Sequence, residues 1–238
     1  MESSGYVTLT RQTGLMREMR AIANNIANAA TTGYRQEGLI FAEYVTRPGN
    51  GPSLSMVSAN VRNTSMVQGG LTRTGGVLDL AIEGDGFFLI ETPSGERLTR
   101  AGSFALSAEG DLVTQDGFRV LDAGGAPVFV PPDATDLGIA ADGTISAGGR
   151  PLGQVGLVRP ADPLGLIRED GVMFRAEGGS EPVEEARVVQ GFLEDANVDP
   201  ISQIARMIEV QRAYEMGQRF LDNENQRIRD AIEALIRS

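Results

Sequence analysis

An α+β fold is the expectation: an all-β centre of short antiparallel strands and hairpins, with long N- and C-terminal helices that pair as a coiled-coil-like terminal domain. Three observations predict it. Residues 39–196 hold 25 of the 30 glycines and 10 of the 11 prolines, so the centre is punctuated for turns and the ends are not. The ends instead repeat their apolar residues every seven positions. Charge follows the same division: the centre has 11 arginines against 22 carboxylates, whereas residues 1–38 have 4 against 3 and residues 197–238 have 6 against 7.

The N-terminal helix, within residues 1–35, has Leu9, Met16, Ala23 and Ala30 at one seam position and Gln12, Met19 and Ile26 at the other. Leu15, Ile22 and Ala29 widen that face. Thr31-Thr32-Gly33 stops the helix, with Gly33 placed for a left-handed cap. From Ala21 to Tyr34 there is no charged residue, yet Asn24, Asn25 and Asn28 cluster there. Each asparagine is worse than alanine in a helix by up to about 0.7 kcal/mol. Asn24 and Asn28 lie away from the seam, which predicts an amide stripe that meets other subunits without burying charge.

Residues 36–70 fit neither period and read as an extended connector. Residues 71–196 form the β-rich domain, with strands expected at 77–82, 87–91, 97–100, 110–114, 118–121, 128–130, 138–140, 144–146 and 155–159. Asp116-Gly117 and Asp142-Gly143 supply tight turns between them. The C-terminal helix, residues 197–238, starts at Asp199 as N-cap with Pro200 at the first helical position. Met207, Tyr214, Leu221, Ile228 and Leu235 recur every seven residues, and Ile204, Gln211, Gln218, Asn225 and Ile232 are the expected second seam position. Ordering a residue costs roughly 1–2 kcal/mol, while each large buried side chain returns about 1.5–3 kcal/mol. With so few large seam residues per heptad, one helix pair recovers too little, so the ends are expected to order against further copies or partners.

Composition excludes most chemistry. The sequence has no His, no Cys and no Lys, so all 21 basic residues are Arg. Triads with His, thiolate chemistry, lysine Schiff bases and His/Cys metal sites are impossible. A soft metal has no ligands here, so no cofactor is expected, and a reaction is not expected either. The net charge of -11, all from the centre, argues against nucleic acid and anionic membranes. No apolar run approaches the roughly 20 residues of a membrane span. Met1–Gly14 has no basic stretch before an apolar core, so export without a cleavable signal is expected. Glu83-Gly84-Asp85-Gly86-Phe87-Phe88 lacks the third glycine of a dinucleotide fingerprint and the spacing of a calcium loop; it reads as a tight turn entering a buried strand. The acidic turns leave a calcium- or carbohydrate-binding β-module as an alternative of another class.

Ala23-Asn24-Asn25-Ile26-Ala27-Asn28 followed by Thr31-Thr32-Gly33-Tyr34 resembles the N-terminal signature of bacterial flagellar rod and hook proteins. Asp79–Phe88, Thr99–Phe104 and Gly110–Thr114 are similar to that family's central block. Asn197-Val198-Asp199 and Met207–Glu215 resemble its C-terminal signature. The length argues against hook proteins, and Leu9-Thr10-Arg11-Gln12 with Phe41-Ala42-Glu43-Tyr44 looks most like the proximal-rod branch, the distal rod being the alternative. The resemblance implies a structural subunit of the basal-body rod in the periplasmic space. It also implies export through the flagellar type III apparatus and partners among proximal- and distal-rod proteins, with no small-molecule substrate. The assembly residues would be Leu9, Met16, Met19, Ile22, Asn24, Asn25, Ile26, Asn28 and Gly33, with Ile204, Met207, Gln211, Tyr214, Gln218, Leu221, Asn225, Ile228, Ile232 and Leu235.

Overall fold

A computed structural model describes residues 2–46, 54–183 and 185–237. Two helices enclose the strands in the chain: α1, Glu2–Ala27, and α2, Pro200–Arg237. The chain divides into two compact units. One comprises Met1–Ala27, Glu37–Asn63 and Asp199–Ser238; the other comprises Asn28–Gln36 and Thr64–Val198. Among the described residues no helix is long and apolar enough to cross a membrane.

The first unit pairs α1 with α2. It also contains strands Glu37–Thr46 and Leu54–Thr64, hydrogen-bonded to each other as a two-stranded sheet. The expected connector over 36–70 is therefore strand over much of its length, and the part at 47–53 lies outside the described residues. Its sequence carried a usable signal: Pro48-Gly49-Asn50-Gly51-Pro52 separates two segments rich in Val, Phe, Tyr and Ile.

The second unit is built on a nine-stranded antiparallel sheet. Its central strand, Phe87–Thr92, pairs along one edge with Gly95–Thr99; the other edge is shared by Arg119–Val120 and Leu157–Pro160. Phe87-Phe88-Leu89-Ile90 is an unbroken apolar run because both faces of this strand are covered. Phe88 and Ile90 join Leu80, Phe104, Leu112 and Ile145 in one cluster, and Phe87 and Leu89 join Leu98, Leu121 and Phe174 in another. Edge-to-face rings tie the central strand to both sides, Phe88 to Phe104 at 5.1 Å and Phe87 to Phe174 at 5.7 Å. The run enters from the expected tight turn, in which Gly84 (φ 97°) and Gly86 (φ 145°) take conformations that side-chain-bearing residues rarely adopt.

Most expected strands are present with shifted ends. Where a strand was expected at 128–130, residues 127–129 make isolated bridges instead, Asp111 with Phe129 and Leu121 with Pro127. Val128 and Val130 are nevertheless buried, so apolar content there reported burial and not pairing. Strands 166–169, 173–176, 187–190 and 192–194 carry arginines, glutamates and glutamines among their apolar positions, which hid them from a reading based on hydrophobic runs.

Candidate assembly surface

The start of α2 is set by Asp199, whose carboxylate accepts from Ile201 N at 3.1 Å and whose carbonyl accepts from Gln203 N at 3.1 Å. That satisfies amides a helix start leaves unpaired. The two helices run antiparallel, as three contacts fix: Asn25 with Gln203, Glu18 with Arg206 and Gln12 with Tyr214. On α2, the heptad position Met207, Tyr214, Leu221 turns inward and is half-buried. The second inward position is Gln203, Val210, Gly217 and Glu224; the set at Ile204, Gln211, Gln218, Asn225 and Ile232 is not the one that meets α1. Hydrophobicity misled the register here. The inner position is polar or small because α1 approaches closely: Gln12 donates to Tyr214 O at 2.8 Å, lying where any side chain at Gly217 would stand.

On α1, Gln12, Ile22 and Asn25 are buried, and Leu15, Glu18, Met19 and Ile26 are half-buried. Glu18 and Arg206 meet at 2.6 Å, an ion pair whose arginine is half exposed; the hydrogen bond to Glu18 raises the Arg206 pKa above its ordinary value. Asn25, 1 % exposed, explains part of the amide cluster. It donates to Glu37 O at 2.8 Å and Gln203 Oε1 at 3.1 Å, and accepts from Glu37 N at 2.8 Å. Its side chain thus closes the backbone of the strand that follows the turn. Asn24 is exposed, and Asn28 caps the turn after α1 by accepting from Thr31.

Several large apolar side chains of both helices are exposed among charged ones. Leu9 is 56 % exposed, Met16 40 %, Ile204 50 %, Ile228 51 %, Ile232 51 % and Leu235 76 %, and Ile201, Ile208, Met216, Phe220 and Ile236 are exposed with them.

Helix α1 ends at Ala27, four residues before the expected stop, because Asn28–Gln36 belongs to the β unit. Gly33 is left-handed as expected, with φ 68°, but what fixes it is close approach: a Cβ there would lie 2.3 Å from Ala101 N. Its amide donates to Glu194 O at 2.7 Å. Tyr34 is buried under the guanidinium of Arg168, which lies 4.5 Å from its ring and 4.6 Å from that of Phe174. Arg35 meets Glu194 Oε1 at 3.2 Å, and Arg100 meets Glu194 Oε2 at 2.9 Å; all three side chains are at most 2 % exposed. Gly69 N also donates to Glu194 Oε1 at 3.0 Å, and Arg100 donates to Gly84 O at 2.7 Å. Burial first, and then the neighbouring Arg100, lower the Arg35 guanidinium to about 10; burial likewise lowers Arg100. Sequence reasoning missed this cluster, since nothing in the 159 residues of separation between Arg35 and Glu194 marks them as partners.

Three family models match the chain. The flagella basal body rod protein model covers residues 6–35, the flagellar hook protein FlgE/F/G D1 domain covers 81–147, and the flagellar basal body rod FlgEFG protein C-terminal model covers 189–234. The flagellar basal-body rod protein FlgF of Caulobacter vibrioides is 39 % identical over 99 % of this chain and 98 % of its own length; FlgF of Rhizobium meliloti is 36 % identical over the same shares. The rod protein FlgG of Bacillus subtilis is 30 % identical over 98 % of each. The chain belongs to the flagellar basal-body rod protein family. Within that family its resemblance is to the FlgF type, with FlgG relatives more distant than the two FlgF relatives given.

The buried cluster takes one residue from each matched rod-family segment: Arg35 from the first, Arg100 from the second and Glu194 from the third. The exposed apolar side chains of the helices, from Leu9 to Ile232, fall in the first and third segments. A member of this family is a structural protein, so the carboxylates of the β unit need no catalytic role, and among the described residues no acidic group is arranged to hold a metal ion.

Proposed function

We propose that the chain is a structural subunit of the flagellar basal-body rod, of the FlgF type, and that it enters the rod through the outer faces of α1 and α2. The observation that carries this is the division of each terminal helix into two faces. The inner face of α2, with Gln203, Met207, Val210, Tyr214 and Gly217, is used within the chain, whereas the aliphatic residues Ile204, Ile208, Ile228, Ile232 and Leu235 remain exposed. A lone chain gains nothing from that placement, and an assembly buries it at about 25 cal/mol per Å². The partners are other rod subunits of the proximal and distal rod, and the helices line the tube that carries torque to the hook. The acidic β unit contributes lateral contacts. Delivery is by the flagellar type III apparatus to the periplasmic rod.

Deletion of the gene followed by electron microscopy of isolated basal bodies tests this reading. A rod interrupted near its base, restored by the intact gene, is the expected result; complete rods and normal motility in the deletion strain would refute it.

A further inference from the structure

A concavity of about 330 Å³ lies wholly within the β unit, lined by the turn that carries Thr31 and Thr32, by the 112–120 hairpin and by Met173. Ligand sites run from about 300 to 1,000 Å³ and are mostly apolar with a few placed polar groups. Since roughly 150 Å³ already holds a benzene-sized group, one six-membered ring fits here. The apolar part is Ile90, 1 % exposed, with Phe118 and Met173 half-buried and packed on the same core cluster. Asp116 is the one charged residue among the described lining residues.

Part of the polar lining is used by the fold: Thr99 Oγ1 donates to Val172 O at 3.2 Å and accepts from Ala101 N at 3.1 Å. The rest is only half used. Gln115 Nε2 donates to Ser103 Oγ at 3.1 Å, and Phe118 N donates to Thr114 Oγ1 at 3.2 Å. The Ser103 and Thr114 hydroxyls therefore keep a proton to donate, and Gln115 Oε1 keeps its capacity to accept. The Asp116 carboxylate and the Thr32 hydroxyl make no hydrogen bond among the described residues.

These groups select a class of ligand. An anion would face Asp116 with no arginine in the lining to offset it. A wholly apolar ligand would cover the hydroxyls and the amide without pairing them. A cyclic polyol meets both demands, because each of its hydroxyls donates and accepts while the C–H face of its ring is apolar. We propose that this pocket binds one pyranose ring of a neutral saccharide, with Asp116 and Gln115 accepting from its hydroxyls and Thr32, Ser103 and Thr114 donating to them. The pocket shares no residue with the exposed helical positions on which the rod reading rests, so it can fail while that reading stands.

The full chain is titrated with the methyl glycosides of glucose, galactose and N-acetylglucosamine and with methyl glucuronide and galacturonide, and binding is read by saturation-transfer NMR. Saturable transfer to at least one neutral glycoside is expected, with a dissociation constant of about 1 mM. The uronides, which replace a hydroxymethyl group with a carboxylate, should bind about fivefold more weakly or worse. Gln115 and Asp116 lie on an exposed turn, so substitutions there leave the melting temperature unchanged. Gln115→Leu should weaken the neutral glycoside about fivefold, and Asp116→Asn should close the gap between neutral sugar and uronide. No saturable transfer to any neutral glycoside would overturn the proposal. So would uronides that bind as well as neutral sugars, or binding that neither substitution alters.

Discussion

Replacing Glu194 with Gln removes the one carboxylate that two buried guanidiniums share. Arg35 and Arg100 keep their like charges at 1–2 % exposure and lose their common counter-charge. Breaking a buried pair by removing one partner costs about 3–5 kcal/mol, mostly the uncompensated charge left behind. Arg35→Met should cost less, roughly 1–3 kcal/mol: it leaves the Arg100–Glu194 pair intact and removes the Arg100 repulsion that, after burial, holds the Arg35 guanidinium down to about 10. Hydrogen exchange at the amides of Phe87–Ile90 measures opening of the β unit without counting the helices. At about 1.4 kcal/mol per tenfold, Glu194→Gln should speed exchange there by about a hundred- to a few-thousand-fold. Less than tenfold, or a smaller effect than Arg35→Met, would refute the reasoning that this carboxylate holds the 28–36 segment in place.

Asn25→Ala should destabilise the helical unit by about 1–3 kcal/mol, because it removes the buried hydrogen bonds to the Glu37 backbone and to Gln203; urea melts read at 222 nm check this. Gly33→Ala should cost more than about 2 kcal/mol, since it adds a left-handed penalty to a collision with the Ala101 backbone; rapid protease cleavage between residues 28 and 36 is the expected sign. The Glu169 carboxylate is held below its ordinary value near 4.5 by hydrogen bonds from Arg175 and then Arg97. A folded-state value below the unfolded one contributes stability above pH 4.5 that is lost as pH falls through the folded value. Glu169→Gln should therefore flatten the acid limb of a melting-temperature profile between pH 5 and 3 while lowering stability at pH 7 slightly.

The helices, the β centre and their order were legible because each has its own period and punctuation. Of the seven-residue repeat read as a seam, Met207, Tyr214 and Leu221 are half-buried, whereas Ile228 and Leu235 at the same position are exposed. The second seam position was not legible: the larger residues sit at Ile204 and Ile232, but close approach of Gln12 to Gly217 selected the polar and small set instead. Asn25 was singled out as unusual, and its use inside its own chain depends on Glu37, twelve residues on across a turn. The Arg35–Glu194–Arg100 cluster was invisible for a general reason: buried charges are marked by their partners, and partners distant in sequence leave no periodic trace.

The claim that the outer helical faces are what builds the rod is tested most directly by Ile204→Asp combined with Ile208→Asp. Both side chains are about half exposed and neither meets α1, so the lone chain should melt within about 1 kcal/mol of the unsubstituted one. In cells lacking their own copy, the account predicts that the variant is produced but absent from isolated basal bodies, with motility lost. Incorporation at the level of the unsubstituted chain would contradict it.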